Sequence, residues 1–141
     1  MIDPSLPLQA AIVTALKASG PVGAVIGDRI FDKVPTNQAG HPPADIYPYA
    51  SFGPISPADD SDTCHAGAEV FVQIDCWSRA VGGVECKRIG AAVLLELDRP
   101  LTVAGFKVAI HEVESVRYPK PSDGLTSQGI LTFRYVLDPT S

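Results

Sequence analysis

The sequence predicts an α+β fold: a mostly antiparallel sheet with two main helices packed on one side, forming a single domain over residues 1–141. Three observations carry that expectation. Residues 69–77 alternate apolar and polar side chains, the period of a half-buried strand. Residues 8–19 and 81–97 repeat apolar side chains at helical spacing instead. Strands and helices are segregated along the chain rather than strictly alternating, which disfavours a wholly parallel βαβ sheet.

The first helix opens near Asp3-Pro4-Ser5, where either Ser5 or Asp3 can cap it and Pro7 is tolerated in the first turn. Leu8, Ile12, Ala15, Leu16 and Ser19 form its stripe, and Gly20-Pro21 stops it. Residues 22–26 make one short further turn, ended by Gly27, and 29–34 read as a short extended piece. Residues 35–48 hold Pro35, Pro42, Pro43 and Pro48, so a long surface loop is expected there. Residues 49–52 are a short strand closed by Gly53-Pro54, and 57–67 form a second, acidic loop.

In the strand 69–77, Val70, Val72, Ile74 and Cys76 point one way. The other face carries Phe71 and Trp77 among polar groups, so it too is a candidate for cover. The second helix, 81–97, puts Cys86, Ile89, Gly90, Val93, Leu94 and Leu97 on one face. Ala91 and Leu95 sit off that stripe near Arg88, which marks them as candidates for a contact outside the monomer. Residues 101–103 and 106–116 read as a hairpin around Ala104-Gly105, with a bulge near 111–114 where the alternation slips. A proline-rich loop at 118–124 precedes the last strand, 130–137.

Composition narrows the function classes. Apolar residues make up 45% of the chain and the net charge is −5, so the chain can bury a core and lacks the basic balance of a generic nucleic-acid binder. No apolar run approaches the roughly 20 residues of a membrane span, and the N-terminus has no basic region followed by a long apolar run. Neither a membrane partner nor a signal peptide is expected. Three cysteines, an odd number, make no disulfide framework.

The search for chemistry is nearly empty. Cys64, His65, Cys76 and Cys86 do not have the paired spacing of a zinc module. Cys64 and His65 are neighbours in sequence, an arrangement that seldom gives nucleophile–base geometry, and His111 has no assigned thiol partner. Asp59, Asp60 and Asp62 resemble the start of a calcium loop, but the glycine and closing Glu of an EF-hand are missing. A solvated acidic loop is the better reading. Gly82-Gly83 is not followed by the Lys-Ser/Thr of a phosphate-binding loop. No catalytic residue, metal site or cofactor is expected.

Several segments taken together carry a resemblance. They are residues 4–12 (Pro-Ser-Leu-Pro-Leu-Gln-Ala-Ala-Ile), 29–35 (Arg-Ile-Phe-Asp-Lys-Val-Pro), 47–53 (Tyr-Pro-Tyr-Ala-Ser-Phe-Gly), 76–79 (Cys-Trp-Ser-Arg) and 123–134. In this order and spacing the chain resembles the tail-completion, or tail-terminator, proteins of long-tailed bacteriophages, prophages and gene transfer agents. The resemblance runs from about residue 4 to 137.

The resemblance implies an α+β fold and a structural, non-enzymatic role at the head-proximal end of a virion tail, assembled in the bacterial cytoplasm. It implies a homohexameric ring that stops tail-tube polymerisation and meets the head–tail connector. DNA passes through the lumen without specific binding. A ring needs heterologous contacts, and the candidate contact residues are Arg88, Ala91 and Leu95 with the loop acids Asp59, Asp60 and Asp62. The alternatives are another head–tail connector or minor tail component, and a small cytosolic binding module.

Overall fold

A computed structural model describes residues 1–62 and 66–140. Helix α1 spans Ser5–Ala18 and buries Leu8, Ile12 and Leu16, the i, i+4, i+8 stripe of the sequence. Ser5 is the first helical residue rather than the cap, which is Pro4. Asp3 serves the helix entrance, its Oδ1 accepting from the Ser5 N–H at 2.9 Å and from the Ser5 hydroxyl at 2.6 Å. Ser19 does not continue the stripe. It is extended, and its hydroxyl accepts from the Val22 N–H, capping a second helix, α2, at Gly20–Ile26. Pro21 thus opens a helix as well as ending one, because a first-turn proline gives up no intrahelical bond.

The sheet has five strands in the order β1-β2-β3-β5-β4. Their ranges are β1 Ile30–Phe31, β2 Tyr49–Asp59, β3 Ala68–Ser78, β4 Phe106–Arg117 and β5 Ser127–Pro139. β1 runs parallel to β2, and the other pairings are antiparallel. Between β1 and β2 the proline-rich segment forms a surface loop with one short 3₁₀ turn at Ala44–Ile46.

β2 is longer than the sequence predicts. It continues through Gly53-Pro54, with a register shift between Phe52 and Ile55, and takes in Pro57, Ala58 and Asp59. The reason is topological. β1 pairs only with Ala50 and Ser51, so beyond them β2 has a free edge where proline forfeits no ladder bond.

Helix α3 spans Val84–Leu97 and buries Cys86, Ile89, Gly90, Ala92, Val93 and Leu97. It starts three residues later than the sequence predicts, because Gly82 has φ +78°, outside the helical region. The expected hairpin at 101–116 is reduced to a single bridge between Val103 and Phe106 across a turn in which Gly105 has φ +80°. β4 carries two register shifts, at Val108/Ile110 and Val113/Ser115, rather than one.

All three helices lie on one sheet face. Val70, Val72, Ile74 and Cys76 of β3 join Leu131, Phe133, Tyr135 and Leu137 of β5 beneath them, all fully or nearly fully buried. Each such aliphatic or aromatic side chain contributes about 1.5–3 kcal/mol by leaving water. The helices cover the centre of the sheet and stop short of β4, whose Val113 and Val116, opposite Phe133 and Leu131, remain exposed at 47% and 38%, while Ile110, opposite Val136, is exposed on the other face. Among the described residues no single helix is long and apolar enough to cross a membrane.

Candidate functional site

Three surfaces remain once the core is closed. The first is the helix-free sheet face. There Arg134 of β5 donates through Nε to Glu69 Oε2 of β3 at 2.7 Å and through an Nη to Glu112 Oε1 of β4 at 2.8 Å. The register makes this possible, since Arg134 lies opposite Phe71 and Glu112. Each solvent-screened pair adds little alone, but one guanidinium ties three strands together. Asp75 lies on the same face, nearly buried, and accepts from Gln73 Nε2 at 3.0 Å. Burial pushes its carboxyl above the usual carboxylate range, against the opposing pull of its hydrogen bonds to Gln73 and Gln128.

The second is an aromatic cluster at the end of the sheet where β2 and β5 begin and β3 ends. Tyr49 packs against Phe31, Tyr47 and Trp77 with ring centroids 5.7, 5.1 and 6.3 Å away. Trp77 donates its indole N–H to the Ser51 hydroxyl at 3.1 Å, and Arg79 lies 4.7 Å over the Tyr47 ring. The Tyr-Pro-Tyr and Trp-Ser-Arg segments singled out in the sequence are therefore brought together here. Burial is the main cause that drives the Tyr49 hydroxyl far above its ordinary value.

The third surface is a cleft of about 360 Å³ between the start of α3 and the loop joining β4 to β5. Arg79, Lys87 and Lys120 line it, with Tyr118 at its back and Val81 and Leu125 at its rim. The Lys87 ammonium lies 5.9 Å over the Tyr118 ring. The three cations come from three different segments of the chain, so neither spacing nor local charge density announced them.

The sequence-predicted contact residues fall in two places. Arg88, Ala91 and Leu95 are exposed together on the outer face of α3, with Leu95 at 64%. Asp59, Asp60 and Asp62 are exposed where the turn between β2 and β3 begins, at the other end of the sheet from the cleft. Asp59 Oδ1 accepts from both the N–H and the hydroxyl of Ser61, which holds its carboxyl below the usual range.

Among the described residues the chemistry candidates do not converge. Cys64 and His65 lie outside the described residues. Cys76 and Cys86 are buried, the Cys86 thiol donating to the Cys76 carbonyl at 3.4 Å. Burial pushes the Cys86 thiol up to about 11 and the Cys76 thiol higher still. Among the described residues His111 meets no thiol: its Nε2 lies 3.0 Å from the Asp98 carbonyl. Among the described residues no three His, Cys, Asp or Glu side chains gather as metal ligands.

Comparison with known proteins places the chain in a family. Residues 10–138 match the profile of the family described as tail completion protein gp17. Among solved structures, a chain from the virion of a native gene transfer agent particle superposes with a TM-score of 0.81 at 27% identity, covering 93% of this chain and 94% of that one. Bacteriophage SPP1 gp17 superposes with a TM-score of 0.60 at 22% identity, over 93% of this chain and 88% of that one, a likeness of fold. No curated protein sequence matches. With nearly its whole length accounted for by one profile, this chain belongs to the tail completion protein gp17 family, a family of structural proteins of the virion tail.

Proposed function

We infer that this protein closes the head-proximal end of a phage-type tail tube. Six copies form a ring, stop tube growth and present a surface to the head–tail connector, and DNA passes through the lumen. The observation that carries this reading is the family match over residues 10–138, which names tail completion. The geometry supports it. One sheet face, which carries Ile110, and the β4 side chains Val113 and Val116 on the other face lack cover from the chain's own helices, as suits a subunit built for neighbours.

Two patches serve as contacts with neighbouring subunits: Arg88, Ala91 and Leu95 on α3, and Asp59, Asp60 and Asp62 at the β2–β3 turn. They lie on different parts of the fold, which suits the heterologous contacts of a closed ring. Charge suits the passage of DNA. Six copies at −5 each carry a formal −30, which disfavours duplex adhesion to the protein. The role needs no catalytic group.

Negative-stain microscopy of the purified protein, alone and added to growing tail tubes, tests the reading. Rings that cap and shorten the tubes are expected. Incorporation along the tube, or attachment to the connector without effect on tube length, would favour a different tail component. Replacing the exposed Leu95 with Glu is expected to abolish capping while the monomer keeps its melting temperature. Unchanged capping removes that patch from the contact.

A further inference from the structure

We propose that the cationic cleft of one copy receives the acidic β2–β3 turn of the next copy. Asp60 and its neighbours Asp59 and Asp62 would lie against Arg79, Lys87 and Lys120. This rests on the ring reading for why copies meet, but it adds the receiving surface and the residues that form it.

The cleft holds positive charge that the described residues of its own chain do not neutralise. Among the described residues, no carboxylate lies within ion-pair distance of Arg79, Lys87 or Lys120. The nearby acids are engaged elsewhere. Glu85 accepts from the Ser78 hydroxyl at 2.9 Å, and Asp123 accepts from the Leu125 and Thr126 N–H groups of its own turn. Arg79 and Lys87 are held in place by uncharged partners instead. Arg79 stacks on Tyr47 and donates Nε to Thr126 Oγ1 at 3.3 Å, while Lys87 rests near Tyr118. In a chain of net charge −5, such a concentration of unneutralised cations around a cavity stands out against the average.

The complementary charge is at the far end of the same sheet. Asp59 pairs with Ala68 at the start of β3, whereas the cleft begins just beyond Ser78 at its end. Eleven strand residues separate the two, roughly 35 Å at about 3.3 Å per residue. One copy cannot bring its own turn to its own cleft, so the charges can be joined only between copies, head to tail. Such a contact uses two different patches and repeats around a ring. Both hydrogen bonds to Asp59 fall on Oδ1, leaving Oδ2 for a further donor. A carboxylate-bearing turn also fits the cleft better than a duplex does. The site is concave and small, and its rim carries the exposed apolar side chains Val81 and Leu125.

The test is site-specific photo-crosslinking combined with charge exchange. The exposed Lys120 is replaced by p-benzoylphenylalanine in the full chain. The chain is irradiated at high concentration and on capped tails, and the crosslinks are mapped by mass spectrometry. Crosslinks from position 120 to residues 57–62 of a second copy are expected. In parallel, Lys87→Glu and Asp60→Lys are each expected to weaken association by about tenfold or more, and the double variant to restore it. Added salt weakens this contact in the parent chain. Unaltered melting of the single variants separates lost association from lost folding.

Crosslinks to any other surface, no intermolecular crosslink, single reversals without effect, or a double variant that stays weak would each overturn the proposal. So would duplex DNA binding that disappears in Lys87→Glu. Failure of the ring reading has a different signature. Turn-to-cleft crosslinks in open filaments would keep this contact and remove the ring. Closed rings crosslinked elsewhere would do the reverse.

Discussion

The Tyr118 hydroxyl stands where a side chain at Gly90 would begin, so that a Cβ built on Gly90 would overlap that oxygen. Gly129 of β5 faces the same ring, with a built Cβ 2.9 Å from Tyr118 Cε1. Two glycines, one on a helix and one on a strand, therefore form the slot that seats Tyr118 at the back of the cationic cleft. Gly90→Ala gains up to about 1 kcal/mol of helix propensity, but the overpacking costs about 1–3 kcal/mol, so net destabilisation is expected. In a Tyr118→Ala background the same substitution should become neutral or stabilising. Urea unfolding of the four chains of this double-mutant cycle checks it, and additive effects would count against the slot.

Ile89 and Val93 project from α3 onto the sheet and are fully or nearly fully buried. Ile89→Ala should cost about 2–4 kcal/mol through lost burial and the cavity left behind. Arg88→Ala, one residue away and exposed, should change stability by less than about 0.5 kcal/mol. Chemical denaturation of both variants measures the contrast, and equal effects would refute the helix phase.

Cys76 and Cys86 should resist a chromogenic disulfide reagent in the folded chain, because both thiols are buried and held protonated by burial. Both should react promptly in denaturant. Rapid reaction of all three cysteines under native conditions would contradict this.

Asp75 gives a pH signature. Its carboxyl is raised in the folded state, chiefly by burial, so the folded state binds its proton more readily than the unfolded chain does. The stability this contributes is present below the ordinary carboxylate value and is lost as pH rises through the raised one. Asp75→Asn should remove that part of the pH dependence: relative to the parent, the variant should gain stability on going from pH 3 to pH 7. Unfolding free energies measured across that range decide it, and a relative gain towards acid pH would reverse the assignment.

The surface elements show why a fold can be legible where its working face is not. Arg79, Lys87 and Lys120 come from the end of β3, the first turns of α3 and the loop after β4, and no local pattern links them. The same holds for Arg134, whose partners Glu69 and Glu112 lie on two other strands. By contrast, Leu95 and Ala91 were visible as possible contact residues because they break a helical stripe, a local signal.

By itself the sequence determined the elements whose periodicity is set by burying one face: the α1 stripe of Leu8, Ile12 and Leu16, the β3 alternation from Val70 to Cys76, the α3 face around Ile89 and Val93, and the inward residues of β5. Those signals are local, since the period of a helix or strand is fixed by its own backbone geometry. Only the tertiary structure decided how far β2 runs past Gly53-Pro54, because that depended on β1 ending after two residues and leaving the edge free. It also decided that Tyr118 should sit between Gly90 and Gly129, and that three cations from different segments should line one cleft. These follow from which segments become neighbours on folding, and neighbourhood across the sheet is set by long-range packing that no short stretch of sequence encodes.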